Sequence, residues 1–219
     1  MTARTRPPEE ARTRPLRKDA QRNRDLLIKA ARELYAARGL DVSLDEIART
    51  AGVSSGTLYN HFPDRADLVE AVFADRAATV TRIAEHALAM DDPWEGLVHF
   101  LEGVCELQAS DRGYNDLVSG RLPQGPPSEA HAHGYALMKR IIDRARNSGA
   151  LRPDFTLEDV AFVTWGTART VEATAIIRPQ AWRRHLSLLL DAMRPPAAHP
   201  LPEPPLTPDE LAQLMRGHC

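Results

Sequence analysis

Between Ser54 and Phe62 the chain reads Ser-Ser-Gly-Thr-Leu-Tyr-Asn-His-Phe, and six of these nine residues carry a side-chain hydroxyl, amide or imidazole. Only Leu58 and Phe62 have the character of core residues. A segment this short is not stable as an isolated helix. Gly56 weakens it further, but lets its backbone come close to a neighbour. Ser54, Ser55, Thr57, Tyr59, Asn60 and His61 are odd choices for a helix that only packs. They are sensible ones for a helix laid against DNA, where phosphate oxygens and base edges are read through hydrogen bonds.

Bond-making chemistry finds little support. There is no HExxH, Walker or GxGxxG pattern, so an all-helical enzyme is the weak alternative. Cys105 and Cys219 are the only cysteines. One lies in an apolar helical stretch and the other is the last residue, so neither a structural disulfide nor a cysteine metal site is expected. His131-x-His133 suggests a metal pair, but residues two apart on a helix do not share a face. No metal and no cofactor are expected.

The elements that must position the Ser54–Phe62 segment are helical, and the fold class read from the pattern is all-α. Leu27, Ala31 and Leu34 recur at helical spacing from about Asp19 until Gly39 supplies a stop. Ser43-Leu-Asp-Glu46 is a capping box: Ser43 accepts from the Glu46 amide and the Glu46 side chain reaches back. The helix it opens ends near Gly52. A third helix runs from about Ser55 to His61, before Pro63-Asp64. Small Ala48 lets the two short helices cross closely, Gly52 turns the chain in the left-handed conformation, and Ile47, Val53 and Leu58 fill the angle. In such a helix-turn-helix the second helix lies in the major groove.

The sequence resembles the TetR family of bacterial transcriptional regulators. The resemblance rests on Ser43-x-x-Glu-Ile-Ala48, Ala51-Gly-Val53, Gly56-Thr-Leu-Tyr59, His61-Phe-Pro63 and Arg65, and covers residues 20 to 73. It implies that Ser55, Gly56, Thr57 and Asn60 face the groove, where Asn60 pairs with adenine. It implies that Thr57, Tyr59, His61 and Arg65 hold phosphates, and that Ser43 and the helix it caps do the same. Position 60 is often aromatic or histidine in the family, so Asn60 is a departure that bears on which bases are read. Arg4, Arg6, Arg12, Arg14 and Arg17 could add minor-groove or phosphate contacts, or belong to a solvated tail.

Four segments follow. Residues 1–18 form a flexible basic arm, 19–64 the DNA-binding domain, 65–194 a helical ligand-binding and dimerisation domain, and 195–219 a proline-rich tail with a short helix. Residues 1–65 hold 13 Lys/Arg against 9 Asp/Glu, a balance of +4, and the remainder carries −6. A basic front end suits a chain that presents one end to a polyanion. In the larger domain the helices run from Arg65 to Met90, from Pro93 to Ser110, around Asn115 to Gly120, and from Ser128 to Asn147. The stripes Val160-Val163-Thr167-Val171-Ala175 and Trp182-Leu186-Leu189-Met193 mark two further helices, at about 157–177 and 180–193. The resemblance implies that this pair joins its two-fold mate in a homodimer. The run Gly149–Asp154 with Trp182–Leu186 and Leu190–Arg194 is similar to an SbtR-like C-terminal domain.

A ligand pocket needs an apolar wall with a few polar groups. His99, Cys105 and Gln108 on one helix, with Trp165 and Arg169 one turn apart on another, are candidates; they could equally be core members or lie in the dimer seam. The function implied is a regulator released from a palindromic double-stranded DNA operator by a small-molecule effector, with activation the alternative to repression. No apolar run approaches membrane-spanning length, and the cytoplasm is the expected compartment.

Overall fold

The computed structural model describes residues 10–118 and 129–215, and among these the only regular elements are helices. They are α1 (Glu10–Arg38), α2 (Leu44–Ala51), α3 (Ser55–His61), α4 (Arg65–Ala89), α5 (Pro93–Ser110), α6 (Arg112–Val118), α7 (Glu129–Asn147), α8 (Asp159–Thr174), α9 (Ala181–Met193) and α10 (Pro208–Met215). A single 3-10 turn, Pro195–Ala197, lies in the proline-rich tail.

The first helix starts nine residues before the expected break at Asp19. Residues 10–18 thus continue α1 instead of forming a flexible arm. Glu10, Ala11, Arg12, Leu16 and Lys18 all favour helix, and no glycine interrupts them, although Pro15 lies within. Arg4 and Arg6 fall outside the described residues. The other boundaries shift by a few residues. Ser128, expected to cap α7, also falls outside the described residues. The stretch Ala175–Ile177 is a turn, not the end of α8.

Two apolar cores organise the chain. The first gathers Leu27, Ala31 and Tyr35 of α1, Ile47 and Ala48 of α2, Leu58 of α3, Phe62, and Leu68, Val72 and Phe73 of α4. It does not stop at residue 64: the first half of α4 belongs to it, and so do Tyr114 and Leu117 of α6. The second core gathers the end of α4 with α5, α7, α8 and α9 around Leu97, Leu101, Ile142, Trp182 and Leu186.

Helix α4 spans both cores and is held at each end. At its start, Asp64 and Asp67 form a complete capping box (3.0 and 3.3 Å). At its finish, the Arg144 guanidinium of α7 donates to the carbonyls of Leu88, Met90 and Asp91. A cation on these carbonyls, which lack helical partners, satisfies them and complements the helix dipole. The α4–α5 hairpin is close enough that a Cβ at Gly96 would stand 2.5 Å from the Ala87 carbonyl oxygen.

Helix α6 joins the two cores by packing against α1, α5 and α8. The Asp116 carboxylate, only 2% exposed, accepts from the Leu40 amide at 3.0 Å, just beyond the end of α1. Gly113 sits against Tyr35 and Phe73.

Candidate nucleic-acid interface

The helix-turn-helix forms as its residues require. Ser43 caps α2 and accepts from the Glu46 amide at 3.2 Å. The second half of the expected capping box is absent. The Glu46 carboxylate instead accepts from Arg38 at 2.6 Å, because a guanidinium at the end of α1 is a stronger partner than one backbone amide. This ion pair fastens α2 to α1. Gly52 closes α2 at φ +71, a conformation that suits glycine. Ser54 then caps α3, accepting from the Thr57 amide at 3.2 Å.

Leu58 and Phe62 are buried, at 0% and 1% exposed, and anchor α3 with the Arg24 guanidinium over the Phe62 ring. The opposite side of α3 stays in solvent. Ser54, Gly56, Tyr59 and Asn60 are exposed and Ser55, Thr57 and His61 are half-buried. Tyr59 is 49% exposed, so its ring is not a core member.

Several of these groups already have partners. The Ser55 hydroxyl donates to Asp45 of α2 at 2.7 Å, which ties the two short helices together and occupies its proton. Ser54 and Thr57 share a hydroxyl–hydroxyl bond of 2.9 Å. Ser43 uses its oxygen as the cap acceptor, and a hydroxyl keeps its proton for a second partner. Arg65, half-buried at the start of α4, donates through one nitrogen to the Leu40 carbonyl at 2.6 Å. Its role in the protein is therefore structural as well as electrostatic.

The candidate ligand residues do not come together as one set. Cys105 and Gln108 meet α8 in the interior: the Cys105 thiol lies 3.6 Å from the Thr167 hydroxyl, and the Gln108 amide nitrogen donates to the Thr164 carbonyl at 3.1 Å. His99 faces the other way and stacks edge-on against His86 of α4, ring centroids 4.8 Å apart. Trp165 and Arg169 lie on the outer side of α8, where Trp165 meets Phe162 and Arg169 pairs with Glu172. Helical spacing put Trp165 and Arg169 on one face, as expected, but that face turns away from α5. Buried Asn115 and Asp116 of α6 were not among the sequence candidates. Their signal was an amide and an acid side by side in a short helix between apolar ones.

The seam stripes also turn inward. Val160, Val163, Thr167, Trp182, Leu186 and Met193 are buried within their own chain. The face they leave outward carries Phe162, Trp165 and Arg169 of α8 and Leu188 of α9.

Burial pushes the Cys105 thiol up to about 11. In a Cys219→Ser background, a disulfide reagent at pH 8 is expected to leave the folded protein unlabelled and to titrate one thiol on unfolding. Rapid labelling of the folded chain would contradict this.

An all-helical chain that holds a short polar helix outward on a helix-turn-helix scaffold, beside a second helical core, is a DNA-binding transcriptional regulator by class. Residues 27–72 match the bacterial regulatory proteins of the tetR family, and residues 92–195 match the C-terminal domain of SbtR-like transcriptional regulators. The chain is 31% identical to the TetR transcription regulatory protein from Mycobacterium vanbaalenii, whose crystal structure aligns over 82% of this chain and 99% of that one with a TM-score of 0.47. It belongs to the TetR family. Among curated relatives, it is 36% identical over 81 residues to the HTH-type transcriptional regulator SrpR of Pseudomonas putida. That stretch is 36% of this chain and spans only 38% of SrpR's own length. The regulator UidR of Escherichia coli K12 is 26% identical over 191 residues, 78% of this chain and 93% of that protein. Among the described residues no helix is long and apolar enough to cross a membrane.

Proposed function

We propose that this regulator is a repressor that binds a palindromic operator as a two-fold homodimer and leaves it when a small molecule enters the α5–α9 core. The observation that carries the reading is the outward face of α3, with Gly56, Tyr59 and Asn60 exposed on a helix anchored by Leu58 and Phe62. Paired recognition helices on a two-fold axis fit successive major grooves. Asn60 reads a base edge, while Ser43, Thr57, Tyr59, His61 and Arg65 set register on phosphates. Ser55 holds α3 against α2, and Ser54 caps α3, at the groove.

Release follows from α4 spanning both cores and α6 packing against α1 on one side and α5 and α8 on the other. A ligand that displaces either element moves α1 and the helix-turn-helix with it, and a coupling of ~1–3 kcal/mol changes operator affinity roughly 5- to 150-fold.

The test is a gel shift with the DNA upstream of the chain's own gene, across a salt series and a panel of base-pair substitutions. Asn60→Ala is expected to relax preference at particular base pairs by about 1–3 kcal/mol each. Arg65→Ala is expected to weaken binding to all sequences alike and lower the salt slope by about one. Unchanged preference in the first variant removes Asn60 from base reading. An unchanged slope in the second makes Arg65 a purely structural residue.

A further inference from the structure

Two buried side-chain oxygens at the junction of α5, α6 and α8 have no hydrogen-bond partner. Gln108 and Asn115 are each 1% exposed, and neither Gln108 Oε1 nor Asn115 Oδ1 meets a donor. The orientation of Gln108 is fixed by its amide nitrogen, which donates to the Thr164 carbonyl of α8 at 3.1 Å. Reversing the amide would set oxygen against oxygen. Asn115 is oriented by its helix. Gly113, Asp116 and Leu117 look toward α1 and the first core, and at 100° per residue Asn115 lies on the opposite side of α6. Buried acceptors without partners are uncommon in folded proteins, and each one destabilises. Here two lie on α5 and α6, which pack against each other.

Resting on the reading of this chain as an effector-released repressor, we propose that Gln108 Oε1 and Asn115 Oδ1 are the acceptor end of the effector site. They take O–H or N–H donors from a largely apolar small molecule. The surroundings favour donors over an anionic end. Two amide oxygens repel an anionic group, and among the described residues Arg76 is engaged by Asp111 and the buried Arg152 by Asp154 and the His199 carbonyl. Val104 and Leu101, one and two turns before Gln108 on α5, and Val163, next to Thr164 on α8, belong to the apolar core beside it. Both oxygens are sealed from solvent, so a ligand reaches them only if α6 moves against α5 and α8. The residue after Asn115 is Asp116, which holds the Leu40 amide behind the helix-turn-helix. Filling the acceptor site therefore pulls on the contact that positions α1 and α2.

The test uses the full chain, with melting temperature and DNA anisotropy as readouts. 1-Naphthol and 1-naphthylamine present donors; 1-methoxynaphthalene blocks the donor and 1-naphthoate replaces it with an anion. At 100-fold excess over the dissociation constant, the two donor probes are expected to raise Tm by about 5–10 °C and to lower DNA affinity by about 10-fold. The other two are expected to do neither. Asn115→Leu and Gln108→Met replace an orphan acceptor by an apolar group of similar shape. Asn115→Leu is expected to raise the Tm of the protein without probe by about 2–4 °C, and Gln108→Met, which also gives up the bond to the Thr164 carbonyl, to leave it within about 2 °C; both are expected to abolish both responses.

A lowered Tm in both variants would make the amides structural and overturn the proposal. So would equal responses to naphthol and its methyl ether, or no response to either donor probe. DNA binding by the wild type without probe keeps the two readings separate. If it is retained while these outcomes fail, only the acceptor site falls. If it is absent, the repressor reading falls and the thermal shifts alone judge the site.

Discussion

Phe162→Asp on α8, or Leu188→Asp on α9, is expected to give a folded monomer whose operator affinity is roughly 10²- to 10⁴-fold below that of the wild type, the factor lost when two linked binding modules become one. Phe162 is 51% exposed and Leu188 59% exposed, so a carboxylate at either place is solvated in the monomer and does not disturb the core. Trp165 packs edge-on against Phe162 with ring centroids 5.8 Å apart, and its buried indole nitrogen has no partner. Across the α8–α9 contact, Gly166 leaves room for the His185 ring, whose Nε2 would stand 3.0 Å from any Cβ there. In the turn after α8, Ile176 and Ile177 are almost fully exposed. Several large apolar side chains left exposed on one pair of helices mark an association site, and a stable dimer covers about 800 Å² on each partner. Facing aspartates across a two-fold axis would meet each other in that buried surface. Light scattering after size exclusion reads the mass, and anisotropy reads the affinity. A variant that stays dimeric would move the homodimer seam away from this face.

Gly39→Ala is expected to cost about 2–5 kcal/mol and to lower Tm by about 5–15 °C. Two penalties add. Gly39 sits at φ +80, where any residue with a Cβ is strained. That Cβ would also stand 2.1 Å from Asp116 Oδ2, so the carboxylate must retreat from the Leu40 amide that it accepts at 3.0 Å. Losing that bond leaves the buried Leu40 amide unsatisfied. Because Asp116 belongs to α6, the damage crosses from one core to the other, and DNA affinity is expected to fall with stability. Circular dichroism melting checks the first effect and anisotropy the second. A melting temperature within 2 °C of wild type would mean that the α1–α6 joint carries little of the stability.

The helix-turn-helix was legible because its signals are local. Ser43, Gly52 and Ser54 act within three residues of themselves, and the boundaries of α2 and α3 followed from caps and a left-handed glycine. The interior of the larger domain was less legible. Periodicity showed that Val160, Val163, Thr167 and Val171 share a face, but not which neighbour covers it. The answer, α5 of the same chain, depends on contacts far apart in sequence. The same limit separated Gln108 and Cys105 from Trp165 and Arg169, which lie on different sides of α8. Glu46 shows competition at close quarters: the capping-box pattern was present, yet Arg38 arriving from α1 took its carboxylate. Asn115 and Asp116 had no periodic pattern to reveal them, since α6 makes only two turns and buries both its faces.

The presence of Tyr114 and Leu117 of α6 in the first core has a consequence for how the molecule can be divided. A fragment cut between α4 and α5 would keep the reading head but bare the flank of Tyr35 and Phe73 that α6 shelters. The head is thus no detachable module to be grafted onto another sensor at the junction after α4. The two cores stand or melt together, and natural variation in one is constrained by the shape of the other.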